Sequence, residues 1–384
     1  MSRVLLLGAR SFVRLRMSLL GVAFWGVTGL PAPLFGQPAW QDLVFTGGLS
    51  AEGYRGNLPA VTLTAVDSTE EASAAVGEIG LRGALTLVEQ EARTIRLQFD
   101  TGLRQFVAGG FKLSSYAPKE LVGRVDLSYR EAVESLGEVW FFGSVSGRRV
   151  TDRPPMPLFL QPGFSTIDGR VQLRLLPIGG VLYDAQLFGE VAEYSFTDAT
   201  PQLALLDRRA VGVEVGATWG SDWSIRGHTG FRYSEFENQG TFDPSDPLRR
   251  DKTFTLGATW TLRSSVLAQI GVEGGLNRSN SSRPEYNALR VRAVLAVPVR
   301  QDFNISLSAD LTAKDYLTET GDALLIPGEE ADNASVVYVE ASRPLFMNLD
   351  GALRFGWTRA ERNIGDEYYE RFGGSLLFRY RPFN

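Results

Sequence analysis

Apolar and polar residues alternate one by one over long stretches of the chain, most regularly between Lys252 and Asn277. Every second residue from Phe254 to Leu262 is apolar, and the alternation resumes at Val266 after a short polar break. A period of two predicts β-strands, because successive side chains point to opposite faces of the pleat. Each arm has about ten to twelve residues, close to the roughly 9–11 with which a tilted strand crosses a membrane. The stretch therefore predicts a transmembrane β-hairpin.

The same alternation recurs along the chain and predicts an all-β fold, a single transmembrane antiparallel up-and-down β-barrel. An even number of strands is typical of single-chain bacterial barrels. The sixteen predicted strands are residues 43–54, 76–88, 92–104, 120–131, 137–150, 165–176, 182–195, 208–219, 222–235, 251–263, 266–278, 286–298, 302–314, 333–343, 347–359 and 369–381.

The links between the predicted strands are alternately short and long. Barrels of the bacterial outer membrane have short periplasmic turns and longer extracellular loops, so this order places both termini on the periplasmic side. A soluble β-sandwich or propeller is the alternative, but neither needs long strands with links sorted in this way. The predicted short links are 89–91, 132–136, 177–181, 220–221, 264–265, 299–301 and 344–346.

One row of each predicted strand is apolar and carries almost no charge in its middle, where Arg or Lys would cost about 2–4 kcal/mol in lipid. Amphipathic rings such as those of Trp219 and Trp260 lie near strand ends, where they favour the membrane interface. This row is predicted to face lipid: Val211, Val213, Val215, Ala217, Trp219, Ile225, Phe231, Tyr233, Leu289, Val291, Ala293, Leu295, Val297, Ile305, Leu307, Ala309, Leu311, Leu349, Leu353, Phe355, Trp357, Phe372, Leu376, Phe378 and Tyr380.

The other row is rich in charges, and so many charges do not fit a dry core because unpaired burial is expensive. They predict a wet lumen or a dense network of pairs, and about sixteen strands leave room for an aqueous channel. The predicted pore-lining residues are Arg96, Arg124, Arg130, Arg148, Arg170, Arg174, Arg226, Arg232, Arg290, Arg292, Arg354, Asp126, Glu138, Glu190, Glu214, Glu273, Asp310 and Glu340.

Two interpretations of this charged row remain open. Arginine–carboxylate pairs can brace the wall, or an excess of arginine can filter solutes. The arginines on the third to sixth predicted strands, together with Arg290 and Arg292, are the candidates for a weak preference for anionic solutes.

Composition agrees with a barrel. The 384 residues have a mean hydropathy of −0.07, which an apolar lipid row and a polar lumen row produce together. Beyond the N-terminus no run of about 18 apolar residues suggests a helical span. The absence of Cys excludes a disulfide scaffold and a thiolate metal site. A net charge of −5 without a concentrated basic patch gives no indication of nucleic acid as a partner.

The N-terminus predicts export from the cytoplasm. Four arginines up to Arg16 precede the apolar segment Met17–Leu30, which small residues and prolines follow. This order is typical of a secretory signal, with a membrane anchor as the alternative. The predicted domains are a signal peptide at 1–36 and the barrel at 37–384, and Met17 is an alternative start.

The export signal, the sixteen-strand alternation and the terminal segment from Phe372 to Asn384 together resemble Gram-negative outer-membrane β-barrel proteins of porin-like size, without a specific subfamily. The resemblance implies location in the bacterial outer membrane, contact with outer-membrane lipid and lipopolysaccharide, and biogenesis by the barrel-assembly machinery. It also implies that the aromatic residues of the last strand, Phe378, Tyr380 and Phe383, form the assembly signal. Homo-oligomerisation is left open.

The residues favour a passive, charged-lumen channel for small polar solutes. They do not predict an enzyme or a cofactor, because the single histidine, His228, lies in the middle of the inward row of a predicted strand, where a hydrogen-bonding role suits it. Two alternatives remain: an export outlet for exopolysaccharide or other secreted material that works with periplasmic partners, and a closed structural or adhesive barrel.

Overall fold

The computed structural model describes residues 39–56, 71–109, 117–151, 163–195, 207–241, 245, 248–280, 285–300, 302–317, 335–361 and 368–382. The predicted signal peptide and Phe383 lie outside these ranges. The described strands are β1 (Ala39–Gly56), β2 (Glu71–Glu89), β3 (Arg93–Gly109), β4 (Lys119–Val133), β5 (Gly137–Thr151), β6 (Gly163–Leu175), β7 (Val181–Ser195), β8 (Arg208–Gly220), β9 (Trp223–Gly240), β10 (Leu248–Arg263), β11 (Leu267–Ser279), β12 (Tyr286–Arg300), β13 (Phe303–Tyr316), β14 (Ser335–Phe346), β15 (Leu349–Glu361) and β16 (Tyr368–Tyr380).

Each strand pairs with its neighbours in sequence, and β1 pairs with β16 to close the barrel. The predicted all-β, antiparallel, up-and-down barrel of sixteen strands is therefore confirmed. We call the end with the seven short links the turn end, and the opposite end the loop end. That the termini are periplasmic stays a prediction.

The strands are longer than the apolar alternation suggests, from 12 residues in β14 to 19 in β2. The second strand, predicted at 76–88, begins at Glu71, where it pairs with Arg55 of β1. Backbone pairing does not depend on the alternation of side chains, so the ladder extends beyond the alternating segment.

The turns follow from local chemistry. Between β6 and β7, Gly179 and Gly180 take positive φ of 59° and 78°, as a two-residue hairpin turn requires. The predicted turn at 344–346 is wrong, because β14 continues to Phe346 and the turn is Met347-Asn348. Pro344 pairs with Asp350 beside a register shift, and a bulge accommodates a residue that lacks an amide hydrogen.

The outer face of the barrel is an exposed apolar surface. Leu256 is 70% exposed and Phe355 is 65% exposed, and the pairing register places the predicted lipid row on this face. Charged residues of the outer row, such as Arg93 and Arg209, lie at strand ends in the described ranges. Water would penalise so large an apolar surface, whereas lipid does not. The described residues include no helix long and apolar enough to cross a membrane.

Candidate functional site

The inner face of the barrel is the candidate site. The pairing register places the predicted pore-lining residues on the face opposite the exposed apolar row. For example, Glu340 lies opposite Arg354, whereas its neighbours in sequence, Val339 and Ala341, lie opposite Phe355 and Leu353. That these residues line an open path for solutes stays a prediction.

The inner face carries a series of ion-pair clusters, and the most connected one is centred on Arg104. Its guanidinium contacts Glu52, lies 3.6 Å from Glu78 and lies 3.2 Å from Glu120. Glu120 also binds Arg148 at 2.5 Å. Arg148 is among the residues predicted from the sequence to line the pore, whereas Arg104, Glu52 and Glu120 are not. Arg104 lies on the same row of the strand as Arg96 and Asp100, and this spacing could have identified it as a residue of the inner wall. It is, however, the last residue of the predicted strand.

Single carboxylates hold two arginines in several places. Glu340 binds Arg354 at 2.8 Å and Arg379 at 2.6 Å. Glu190 binds Arg208 at 3.1 Å and Arg232 at 2.9 Å. These clusters brace the wall, because each carboxylate links its own strand to the next two strands along the chain.

Two further clusters lie nearer to the turn end. Arg226 binds both Asp184 and Glu214 at 2.8 Å. Glu138 binds Arg130 at 2.6 Å, lies 3.5 Å from Arg174, and accepts a hydrogen bond of 3.1 Å from the indole of Trp140.

His228 belongs to the wall as well. Its Nε2 lies 3.0 Å from Glu273, while its Nδ1 is buried and has no hydrogen-bond partner in the described part of the chain. A cavity of about 130 Å³ adjoins it, lined also by Arg290 and Arg292. Both arginines face Asp310, at 2.7 Å from Arg290 and 3.6 Å from Arg292.

Several inner charges keep a large exposed fraction. The side chains of Arg124 and Arg292 are 58% and 54% exposed, and that of Arg174 is 40% exposed. Exposure of this size on the concave face of a closed barrel requires space in front of the side chain. Water therefore has room to contact the inner wall at these positions.

Another sector of the inner wall is packed. Tyr54, Val76, Phe106 and Leu377 lie on the inner row of β1, β2, β3 and β16, and each is at most 2% exposed. This sector is not among the predicted pore-lining residues, because charge marks the inner row in the sequence and these four side chains carry none. The lumen is thus lined by a packed sector and by an accessible charged sector.

Metal chemistry receives no support from the described ranges, which contain no group of three or more His, Asp or Glu side chains suited to a metal ion. The closed barrel, its uncharged apolar outer band and its charged inner wall define a bacterial outer-membrane β-barrel protein.

Comparison with solved structures finds barrels of the same kind. The chain is similar to a bacterial polysaccharide outer membrane secretin (10% identity, 87% of this chain and 98% of the other, TM-score 0.40). It is also similar to OmpT, an outer membrane protein of Vibrio cholerae (10% identity, 89% and 97%, TM-score 0.39). A Pseudomonas aeruginosa FadL homologue is a third (8% identity, 88% and 89%, TM-score 0.39). Comparisons with models of protein families and with curated proteins find no match.

Proposed function

We propose that the protein is a passive channel through which small polar solutes diffuse across the outer membrane. The observation that carries the proposal is the exposure of inner-wall charges such as Arg124 and Arg292, because a lumen filled by side chains would bury them. A barrel of about sixteen strands is wide enough for such a path. On this proposal the protein is not an enzyme, the loop end is extracellular, and lipid and lipopolysaccharide surround the outer face.

The charge of the wall favours a weak anion preference. Arginine outnumbers acid near the turn end of the inner wall, where Arg82, Arg96, Arg170 and Arg174 face the lumen. Carboxylates within 4 Å partly neutralise Arg96, Arg174 and most of the other inner arginines, so the excess is small. Screening limits each charge to about 8 Å at physiological ionic strength, so the preference should fall as salt is raised.

The test is the conductance of single channels of the purified protein in a planar bilayer, with a salt gradient to measure the reversal potential. We expect steady openings and a reversal potential shifted toward that of the anion. Arg292→Gln and Arg124→Gln should each reduce that shift, because each removes an exposed positive charge from the wall.

The matched control is Arg209→Gln, which removes a charge that is 70% exposed on the outer row at the loop end. It should leave the reversal potential unchanged. A silent bilayer, with the heat-dependent gel mobility of a folded barrel intact, would refute the open channel. That result would favour the export outlet or the closed barrel.

A further inference from the structure

Aromatic rings lie on the inner, water-facing row of β5 and β7, where the alternation otherwise places polar side chains. Trp140 and Phe142 stack with ring centroids 5.7 Å apart and planes 3° apart. On the neighbouring strand Arg170 lies opposite Phe142, and on the next strand Phe188 lies opposite Arg170. The exposed guanidinium of Arg170 is thus flanked by one aromatic ring on each side, and it lies 6.0 Å from the centre of the Phe142 ring.

Two amides continue this surface. Gln172 and Gln186 face each other across β6 and β7, and Gln172 also lies opposite Trp140. Neither amide makes a hydrogen bond to any part of the chain that the structure describes, and Arg170 makes no salt bridge there. We call the six residues Trp140, Phe142, Arg170, Gln172, Gln186 and Phe188 the aromatic ledge.

The rings of the ledge are held in place before any ligand arrives. The indole of Trp140 donates a hydrogen bond of 3.1 Å to Glu138, which is itself fixed by Arg130. Phe188 packs over Gly212, where an added Cβ would clash with the ring. Fixed rings lose little conformational freedom on binding, which favours recognition over simple wall packing.

We propose that the aromatic ledge is a binding site for sugar rings inside the lumen. The carbon–hydrogen face of a pyranose is apolar and stacks on aromatic rings, while its hydroxyl groups both donate and accept hydrogen bonds. The ledge supplies both parts: stacked rings for the face, and two free amides with a guanidinium for the hydroxyl groups. A small inorganic anion would use Arg170 but would leave the rings without a role.

The charge around the ledge favours an uncharged sugar chain. On the row nearer the loop end, Asp126, Asp168 and Glu190 follow one another across the strands with Ser144 between the first two. On the turn-end side Glu138 offsets Arg130 and Arg174. Guanidinium donors and carboxylate acceptors therefore both surround the rings. Neutral hydroxyl groups can form hydrogen bonds with either kind of group.

Passage of such a sugar through the barrel rests on the proposed channel, whereas binding of the sugar at the ledge does not. Two measurements therefore distinguish a failure of the ledge from a failure of the channel. The first is binding of cellohexaose, maltohexaose and chitohexaose to the folded protein in detergent micelles by titration calorimetry. The second is blocking of ion current by the same three sugars in a planar bilayer, with polyethylene glycol of similar size as the non-sugar probe.

We expect at least one hexasaccharide to bind, and to block current, while the polyethylene glycol does neither. Phe142→Ala should weaken binding about tenfold, the size of one lost ring contact, and Phe142→Tyr should restore it. The matched control is Phe141→Ala, which removes the same ring from the outer row of the same strand. Arg170→Gln should weaken sugar binding less than Phe142→Ala does.

Sugar binding by a protein that carries no ion current would retain the ledge and refute the open channel. The proposal is overturned if none of the three sugars binds the folded protein, or if Phe142→Ala and Phe141→Ala bind equally well. It is also overturned if sodium benzoate or phosphate binds at the ledge and the sugars do not compete.

Discussion

Placing one arginine on each row of β10 tests the assignment of the two faces. Leu256 is 70% exposed near the middle of the outer row, where an arginine costs about 2–4 kcal/mol near the bilayer midplane. That free energy corresponds to a roughly 30- to 700-fold loss in the folding equilibrium, since about 1.4 kcal/mol is a factor of ten. Leu256→Arg should therefore shift the urea midpoint strongly or prevent insertion.

Thr255→Arg is the matched control, one residue away on the inner row. Thr255 lies opposite Gly230 on one side and Gly275 on the other, so a long side chain has room and reaches the accessible lumen. We expect its effect to stay within about 0.5 kcal/mol, as for an ordinary exposed position. The assay is folding into lipid vesicles over a urea series, followed by the heat-dependent gel mobility of the barrel. Equal effects of the two variants would refute the assignment of faces, and a larger effect of Thr255→Arg would invert it.

Three further predictions follow from particular contacts. Gly212→Ala should lower the urea midpoint, because the new methyl group would clash with the ring of Phe188. Gly227→Ala is the control and should be neutral, since a methyl group there meets open space. Equal midpoints of the two variants would contradict the packing of Phe188 over Gly212. Glu340→Gln should destabilise by about 1–3 kcal/mol in the same assay, because it leaves two guanidinium groups without their carboxylate, and an unchanged midpoint would show that the cluster contributes nothing. Phe378→Ala should reduce the amount of barrel assembled in cells while refolding of the purified protein stays normal, and a defect confined to refolding would contradict a role as an assembly signal.

Parity along the sequence predicts which face a residue occupies, because the side-chain period of a strand is fixed by the pleat. It therefore assigned the faces of β10 and placed Arg290 and Arg292 on the same side as Glu273. The alternation does not predict how far along the barrel axis a residue lies, because that position depends on turn length and on the register between strands. For this reason the sequence does not predict the ion pair between Glu340 and Arg379, which are 39 residues apart along the chain.

The aromatic ledge shows a second limit of the alternation. Residues 139–142 read Val-Trp-Phe-Phe, so both rows are apolar there and hydrophobicity alone cannot distinguish a lipid-facing ring from a lumen-facing one. The ladder with β4 resolves it, since Arg130 lies opposite Trp140 and Tyr129 lies opposite Phe141. The packed inner sector around Phe106 was not predicted for a related reason, because an apolar residue on the inner row cannot be distinguished by hydrophobicity from one that faces lipid.

The seam between β1 and β16 governs the order in which the molecule can form. It runs from Phe45 opposite Tyr380 to Gly56 opposite Tyr369, so the first strand has only one partner until almost the entire chain has been synthesised. Joining ends so distant in sequence costs roughly 5 kcal/mol of chain entropy. Until then both terminal strands present unpaired amide and carbonyl groups, which invite pairing with other chains. We therefore expect the nascent polypeptide to reach the membrane without its final fold, and the β1–β16 seam to close as the last step of folding.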